Sequence, residues 1–335
     1  MRFATQLDPS ADGSLDGTLL VVSRDLSRAV SATSIAPDLL TAVQRWDELA
    51  AALQTLSDDL NAGAVSGSFP FDPSQCAAPL PRSPQWLDGS AFLNHGRLME
   101  KAFGTPPIVD FDTIPVMYQG ASDDFLGACA DVPMLDEADG IDFEGEFGVV
   151  VGAVPMGATP DVGLAAVRLI VQLNDWSLRA LGPREMTSGF GFVQAKPSTA
   201  FAPLAVTPDE LGDAWEQGRV LYDLRIEFNG AWFGSANGSE MAFGFGDLIA
   251  HAARTRRLTA GTIIGSGTVS NADRSAGSSC ISERRVIEII DTGATRSSFM
   301  HFGDRVRMEA MRSDGTSGPF GAIDQRVVAV AAGAR

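Results

Sequence analysis

The sequence is poor in several features, and each absence excludes a class of protein. Its three cysteines (Cys76, Cys129, Cys280) are odd in number and far apart, so a disulfide framework is not expected and a reducing compartment fits. No apolar run reaches the roughly 18 residues of a membrane span, and the first residues, MRFATQLDPSADG, lack the basic and apolar segments of a secretory signal. The sequence therefore predicts a cytoplasmic protein without a membrane anchor.

Positive charge is also scarce. Lysine and arginine total 25 against 42 acidic residues, which gives a net charge of −17. Binding to a phosphate backbone needs a basic stripe, and none is visible, so no nucleic-acid partner is expected. Acidity of this kind favours solubility and is compatible with a bound divalent cation. Only Lys101 and Lys196 are lysines; either marks a place that needs a compact amine, or the rarity reflects codon bias.

Turn residues and prolines divide the chain into a small first part and a larger second part. In residues 1–75, GTLLVVS and RAVSAT predict two strands, and residues 36–63 predict a helix with Pro37 in its first turn. Five prolines in residues 69–86 predict an irregular linker. In residues 76–335, short apolar runs, RRVIEIIDTG among them, predict strands, while DGSAFLNHGRLMEKAFG and GFGDLIAHAARTRRLTAG predict helices. The fold class is α+β, mostly β, with a small N-terminal domain.

Acidic residues at two probable strand ends are candidates for metal binding. Glu144 and Glu146 in DFEGEFG would project from one face if this segment is a strand. Like charges so close favour a hard cation such as Mg²⁺ or Ca²⁺, although a solvated strand face is an alternative. Asp175 ends the apolar run VRLIVQLND, and a helical turn would bring Arg179 near it. That pair is either functional or a helix cap with an ordinary ion pair.

Two further segments offer proton-transfer and charge-stabilising groups. Asp88 and His95 are seven residues apart, so two helical turns would place them on one face. Histidine suits proton transfer near neutral pH, although a lone histidine on an amphipathic helix is often simply packed, and Asp88 could cap that helix. Lys196 in an apolar setting could stabilise an oxyanion if desolvated, or be a surface charge. GSGTVSN reads as a strand turn that exposes Thr268, and Cys280 reads as a packing residue.

The order of these segments resembles the fumarylacetoacetate hydrolase superfamily over roughly residues 80–330. The histidine-bearing helix, PVMYQG, DFEGEFG, LNDWSLR, QAKPSTAF, GTIIGSGTVSN and GSSCISE follow one another as in that family. FEGEFG resembles its E-x-E metal pair, and NDWSLR resembles its metal-binding turn. The resemblance implies a mixed β-sandwich roll of the fumarylacetoacetase C-terminal type. It also implies that the protein is a homodimer.

The resemblance assigns roles to ten residues of this chain. It implies one Mg²⁺ or Ca²⁺ ion held by Asp88, Glu144, Glu146 and Asp175. It implies that His95 activates water, that Glu283 orients His95, and that Lys196 takes part in catalysis. It also implies that Tyr118, Arg179 and Thr268 bind the oxygens of the substrate.

These roles together imply a metal-dependent hydrolase that cleaves the carbon–carbon bond of a β-diketone. The substrate implied first is fumarylacetoacetate, which gives fumarate and acetoacetate in tyrosine and phenylalanine breakdown through homogentisate. Hydrolysis of simpler acylpyruvates, or decarboxylation or hydration of a related oxo-acid, is the alternative on the same scaffold. A catalytically silent ligand-binding member of the superfamily is a further alternative.

Overall fold

Strands supply most of the regular structure in the computed structural model, which describes residues 1–7, 14–103, 107–331 and 333. The strands, in chain order, are β1 (Arg2–Gln6), β2 (Thr18–Val22), β3 (Arg28–Ser31), β4 (Phe69–Pro70), β5 (Trp86–Gly89), β6 (Met117–Gly120), β7 (Val132–Met134), β8 (Ile141–Asp142), β9 (Gly145–Val151), β10 (Val167–Asn174), β11 (Ser177–Leu178), β12 (Ala200–Phe201), β13 (Ala205–Val206), β14 (Trp215–Glu216), β15 (Arg219–Val220), β16 (Asp223–Phe228), β17 (Ala231–Asn237), β18 (Ile263–Gly265), β19 (Arg305–Met311) and β20 (Ser317–Ala329). The α-helices are α1 (Leu39–Gln44), α2 (Trp46–Asn61), α3 (Leu93–Phe103), α4 (Pro160–Ala165), α5 (Gly182–Ser188), α6 (Phe245–Ala252) and α7 (Ile281–Thr292).

One large sheet runs through both parts of the chain. Its order is β4-β3-β2-β1-β13-β10-β9-β18-β5-β6, with β12 added to β10. The pairing of β1 with β13 joins the first strands directly to the rest of the sheet. The central strands β9 and β10 are almost wholly buried, which explains why their sequences are near-continuous apolar runs. The predicted division between residues 75 and 76 stays a prediction.

A second sheet, of order β17-β16-β19-β20-β7, packs against the first. The buried side chain of Gln172 in β10 crosses between them: it donates to the carbonyl of Met308 at 3.1 Å and accepts from the N–H of Ala310 at 2.8 Å. Phe147 and Phe320 meet between the sheets, with ring centroids 6.1 Å apart. Two smaller sheets have two strands each, β8 with β11 and β14 with β15. This mostly β arrangement with additional helices confirms the predicted α+β class and roll.

Several predicted elements have a different form in the structure. RRVIEIIDTG, predicted as a strand, lies in helix α7. Its short apolar run has no decisive period, and the helix is fixed by a cap at each end: Cys280 Sγ accepts the N–H of Glu283, and Gly293 adopts a left-handed conformation. The predicted N-terminal helix is split into α1 and α2 at Arg45, and Pro37 precedes the N-cap, Asp38.

The helix predicted around His95 begins later than expected. Asp88 lies in strand β5, and α3 starts only at Leu93. Gly104, the predicted end of this helix, lies outside the described residues. None of the helices within the described residues combines the length and apolar character needed to cross a bilayer.

Candidate active site and metal centre

Three buried carboxylates meet where neighbouring interior strands of the large sheet begin or end, and we call Asp88, Glu146 and Asp175 the acidic cluster. Asp88 lies in β5, Glu146 lies in β9, and Asp175 directly follows β10. Because the sheet order is β10-β9-β18-β5, these strands are close neighbours. Glu146 in β9 pairs with Leu173 in β10, and Asp88 in β5 pairs with Gly265 in β18, so both carboxylates lie at this end of the strands. One oxygen from each carboxylate lies within 4.8 Å of the other two.

Glu146 has the fewest partners of the three. Both of its carboxylate oxygens are buried, and neither accepts a hydrogen bond from an N–H or alcohol group among the described residues; its polar contact is with the carboxyl group of Asp88. Burial raises the pKa of Glu146 well above its ordinary value, and the charges of Asp88 and Asp175 raise it further. Carboxylate oxygens are the ligands that a hard divalent cation prefers. The acidic cluster therefore fits such a cation, which would give the buried oxygens of Glu146 a partner.

Lys196 joins the acidic cluster to Glu144. Its Nζ donates to Oε2 of Glu144 at 2.5 Å and to Oδ2 of Asp175 at 2.6 Å. The side chain is only 10% exposed, so Lys196 is not a surface charge. Burial alone would lower the pKa of this amine, but the two carboxylates raise it above its ordinary value. Lys196 therefore carries a positive charge inside the site.

Two positively charged side chains bind Glu144. Besides Lys196, Nη2 of Arg179 donates to Oε1 of Glu144 at 2.6 Å, while Nε of Arg179 donates to Asp142 at 2.8 Å. Burial raises the pKa of Glu144, but Lys196 and Arg179 outweigh that effect and hold the pKa below its usual range. The role of Glu144 as a metal ligand and that of Arg179 as a substrate contact stay predictions.

His95 and Glu283 come together where α3 packs against α7. Nδ1 of His95 lies 2.8 Å from Oε2 of Glu283, and the Glu283 side chain is only 1% exposed. This contact fixes the imidazole ring and leaves Nε2 for proton transfer. His95 also lies beside Glu144 and Cys280, with one ligand atom of each within 4.8 Å of the others. The imidazole is thus linked through Glu144 and Lys196 to the acidic cluster.

Tyr118 closes another side of the site. It lies in β6 opposite Asp88, and its hydroxyl donates to Oδ2 of Asp175 at 2.6 Å. The ring lies 5.5 Å from Nζ of Lys196. Burial and the charge of Asp175 raise the pKa of Tyr118 well above its ordinary value, so the hydroxyl keeps its proton.

Three of the predicted local geometries were wrong. Asp88 and His95 do not share a helix face, because Asp88 is in a strand and the backbone turns before α3. Glu144 precedes β9 instead of lying within it. Arg179 follows the short strand β11 and pairs with Asp142 and Glu144, not with Asp175 through a helical turn.

Thr268 differs from its prediction in exposure. It follows β18 in the predicted turn, but it is 5% exposed, so the turn does not present it to solvent. No hydrogen bond within the described residues joins its side chain to the acidic cluster. Next to it, the N–H of Gly267 donates to Oδ1 of Asp88 at 3.1 Å. The role of Thr268 in substrate binding stays a prediction.

Sequence reasoning missed two residues that hold the site together. Asp142 is fully buried, pairs with Arg179, and accepts the N–H groups of Ile281 and Ser282 at the start of α7. The hydroxyl of Thr199 donates to Oδ1 of Asp175 at 2.8 Å. Asp142 could have been found in the sequence, because it continues the alternation of acidic residues in DFEGE. Nothing in the local sequence marks Thr199.

Gly265 is required by close packing against the acidic cluster. A Cβ added there would lie 2.4 Å from Oδ1 of Asp88 and 2.4 Å from the ring of Trp86. We expect Gly265→Ala to cost about 1–3 kcal/mol of stability, because overpacking forces neighbouring atoms apart, and to weaken divalent-cation binding through Asp88. Gly182→Ala, where an added Cβ meets nothing within 4 Å, is the control. Thermal unfolding and calorimetric cation titration measure both effects; equal melting temperatures for the two variants would contradict the expectation.

Comparisons with known proteins agree with this arrangement. Residues 85–328 match the family model described as fumarylacetoacetate (FAA) hydrolase C-terminal, and residues 1–82 match the model described as fumarylacetoacetase N-terminal domain 2. The chain therefore belongs to the fumarylacetoacetate hydrolase family, which confirms the resemblance seen in the sequence.

Solved structures with the same fold include hydrolases from two bacteria. A fumarylacetoacetate hydrolase from Exiguobacterium antarcticum is 16% identical, with a TM-score of 0.65 over 98% of this chain and 100% of that one. Maleylpyruvate hydrolase from Sphingobium sp. SYK-6, in complex with manganese (II) ion and pyruvate, is 16% identical, with a TM-score of 0.64 over 99% of this chain and 100% of that one. At such low identity these similarities establish the fold alone.

A curated relative is similar over a shorter stretch. It is the 2,4-didehydro-3-deoxy-L-rhamnonate hydrolase of Sphingomonas sp. (strain SKA58), which is 28% identical over 159 residues. The match covers 47% of this chain and 53% of that protein, so the chain spans about half the length of the relative that it matches.

Proposed function

We propose that the protein is a divalent-metal-dependent hydrolase that cleaves the carbon–carbon bond between two carbonyl groups of a 1,3-dicarbonyl acid, with fumarylacetoacetate as its substrate. The observation that carries this proposal is the position of the His95–Glu283 pair beside Glu144, which Lys196 joins to Asp175 of the acidic cluster. This reaction needs a proton acceptor, a buried positively charged side chain and a carboxylate metal site, and the structure has a candidate for each.

The chemical difficulty lies in the departing carbon. A bond between carbon atoms breaks at neutral pH only if the electron pair left behind is delocalised as an enolate. A divalent cation bound by Asp88, Glu146 and Asp175 would supply a Lewis acid for that charge. Lys196, which carries a buried positive charge, adds electrostatic stabilisation at the same place.

The remaining residues handle protons and orientation. Glu283 holds Nδ1 of His95, so Nε2 takes a proton from the water molecule that attacks the carbonyl carbon, and later returns a proton to the product carbon. Tyr118 is protonated and binds Asp175, which places its ring and hydroxyl beside Lys196. Fumarate and acetoacetate are the products of this sequence. The His95–Glu283 pair speaks against a catalytically silent protein, which would have no use for an oriented base.

Measured specificity tests the proposed substrate. We expect kcat/KM to be at least about tenfold higher for fumarylacetoacetate than for acetylpyruvate, and activity to disappear after treatment with a chelator and to return with Mg²⁺ or Ca²⁺. A large preference for acetylpyruvate would reassign the protein to acylpyruvate hydrolysis, and full activity in chelator would remove the metal from the reaction.

We further propose that the enzyme acts as a cytoplasmic homodimer in tyrosine and phenylalanine breakdown.

A further inference from the structure

Residues 189–195 connect α5 to Lys196, and we call this segment the 189–195 loop. We propose that Glu185 is a positioning residue of the active site, because its carboxylate fixes this loop and thereby sets the places of Phe192 and Lys196. The expected effect on catalysis rests on the proposed function. The contact between Glu185 and the loop is independent of it.

The contact consists of three consecutive backbone N–H groups directed at one carboxylate. Oε2 of Glu185 accepts the N–H of Val193 at 3.1 Å and that of Ala195 at 3.0 Å, and Oε1 accepts the N–H of Gln194 at 2.9 Å. These hydrogen bonds lower the pKa of Glu185 below its ordinary value, so the side chain is charged at neutral pH. A charged acceptor shared by successive N–H groups forms strong hydrogen bonds.

The three bonded N–H groups lie between two residues that contact the site. Ala195 is covalently bonded to Lys196, whose Nζ contacts Glu144 and Asp175. On the other side of the three bonded N–H groups, the ring of Phe192 packs edge-on against Tyr118, with centroids 5.2 Å apart. The carboxylate of Glu185 therefore holds the backbone between Phe192, which packs against Tyr118, and Lys196.

Burial contributes little to holding this loop. Phe190 is 97% exposed and Val193 is 82% exposed. Gly189 and Gly191 have φ angles of +73° and +93°, which other residues rarely adopt. Ala195 at the end of the loop is buried, and its carbonyl accepts the N–H of Leu178 at 2.8 Å. The N–H groups of residues 193–195 are held by Glu185.

The chain offers a matched control for this arrangement. Glu288 in α7 accepts the N–H groups of Arg296 and Ser297 and the hydroxyl of Ser297. It fixes a different loop, which carries none of the residues assigned to the reaction. Glu288→Ala removes the same kind of contact as Glu185→Ala, and so separates the loss of a loop contact from the loss of position in the site.

Amide hydrogen exchange and kinetics on the full chain test the proposal. In Glu185→Ala we expect exchange at residues 193–195 to be at least about tenfold faster and kcat to fall by about tenfold to a hundredfold, with cation affinity within about twofold of wild type because Asp88 and Glu146 lie on other elements. Glu185→Gln keeps one acceptor oxygen and should restore part of both effects. Glu288→Ala should speed exchange at residues 296–297 and leave kcat unchanged.

Each outcome has one meaning. Unchanged exchange at residues 193–195 in Glu185→Ala would overturn the loop contact, and faster exchange with wild-type kcat and KM would overturn the positioning role. A wild-type protein that hydrolyses no 1,3-dicarbonyl acid would overturn the proposed function instead, while exchange would still decide the loop contact. Should the alanine variant fail to fold, Glu185→Gln carries the same test with smaller expected changes.

Discussion

Replacing His95 with alanine is expected to lower kcat by about 10³-fold, the usual contribution of a positioned acid–base group. Nε2 of His95 is the proton acceptor in the proposed reaction, and no other described histidine lies beside the acidic cluster; His251 is in α6, and His301 pairs with Glu137. Cation binding should be nearly unchanged, because the three residues of the acidic cluster remain. Steady-state kinetics and calorimetric titration with Mg²⁺ and Ca²⁺ measure the two quantities separately.

His301 provides the control for this substitution. Its Nδ1 lies 2.9 Å from Oε2 of Glu137, so it makes the same kind of histidine–carboxylate contact as His95, but at an exposed position. His301→Ala should therefore retain wild-type kcat. Turnover that survives in His95→Ala would remove the imidazole from the mechanism, and a parallel loss of cation binding would show that the variant had damaged the site as a whole.

Replacing Glu146 with glutamine is expected to have opposite effects on the metal-free and metal-bound protein. Without metal, the buried carboxyl group of Glu146 accepts no hydrogen bond from an N–H or alcohol group among the described residues and lies close to the carboxyl groups of Asp88 and Asp175. Burial and repulsion from Asp88 and Asp175 raise the pKa of Glu146, so folding without metal favours uptake of a proton that the unfolded chain does not hold at neutral pH, which costs stability. Glutamine needs no proton, so the melting temperature in chelator should rise at neutral pH. With metal, one charged ligand is lost, so cation affinity should fall by at least about tenfold, or about 1.4 kcal/mol.

Thermal unfolding with chelator and with Mg²⁺, Mn²⁺ or Ca²⁺ measures both halves of this prediction. Glu309→Gln is the control, since Glu309 lies in β19 and pairs with Arg307 away from the acidic cluster. Its cation affinity should equal that of wild type. Equal affinity in Glu146→Gln would count against the acidic cluster as the metal site, and a lower melting temperature in chelator would contradict the repulsion between its carboxylates.

Elements with a strong local signal were predicted correctly from the sequence. The apolar run before Asp175 is strand β10, and the apolar residues after Glu146 belong to β9, because buried central strands are apolar on both faces. The helix that carries His95 was found, but its start was not, since Asp88 belongs to a strand whose partner, β18, lies far along the chain. RRVIEIIDTG was predicted as a strand because it is a short apolar run next to turn residues, whereas the cap at Cys280 and contact with α3 make it helical.

The family and the chemical character of the site could be predicted from the amino-acid sequence, through an acidic pair, a histidine, a rare lysine and their order along the chain. Which of these groups touch became known from the fold. Lys196 lies between Glu144 and Asp175, His95 is held by Glu283, and Glu185 binds the loop before Lys196. These contacts join residues on separate strands and helices, and their distances depend on sheet order and helix packing, which no local pattern of residues records.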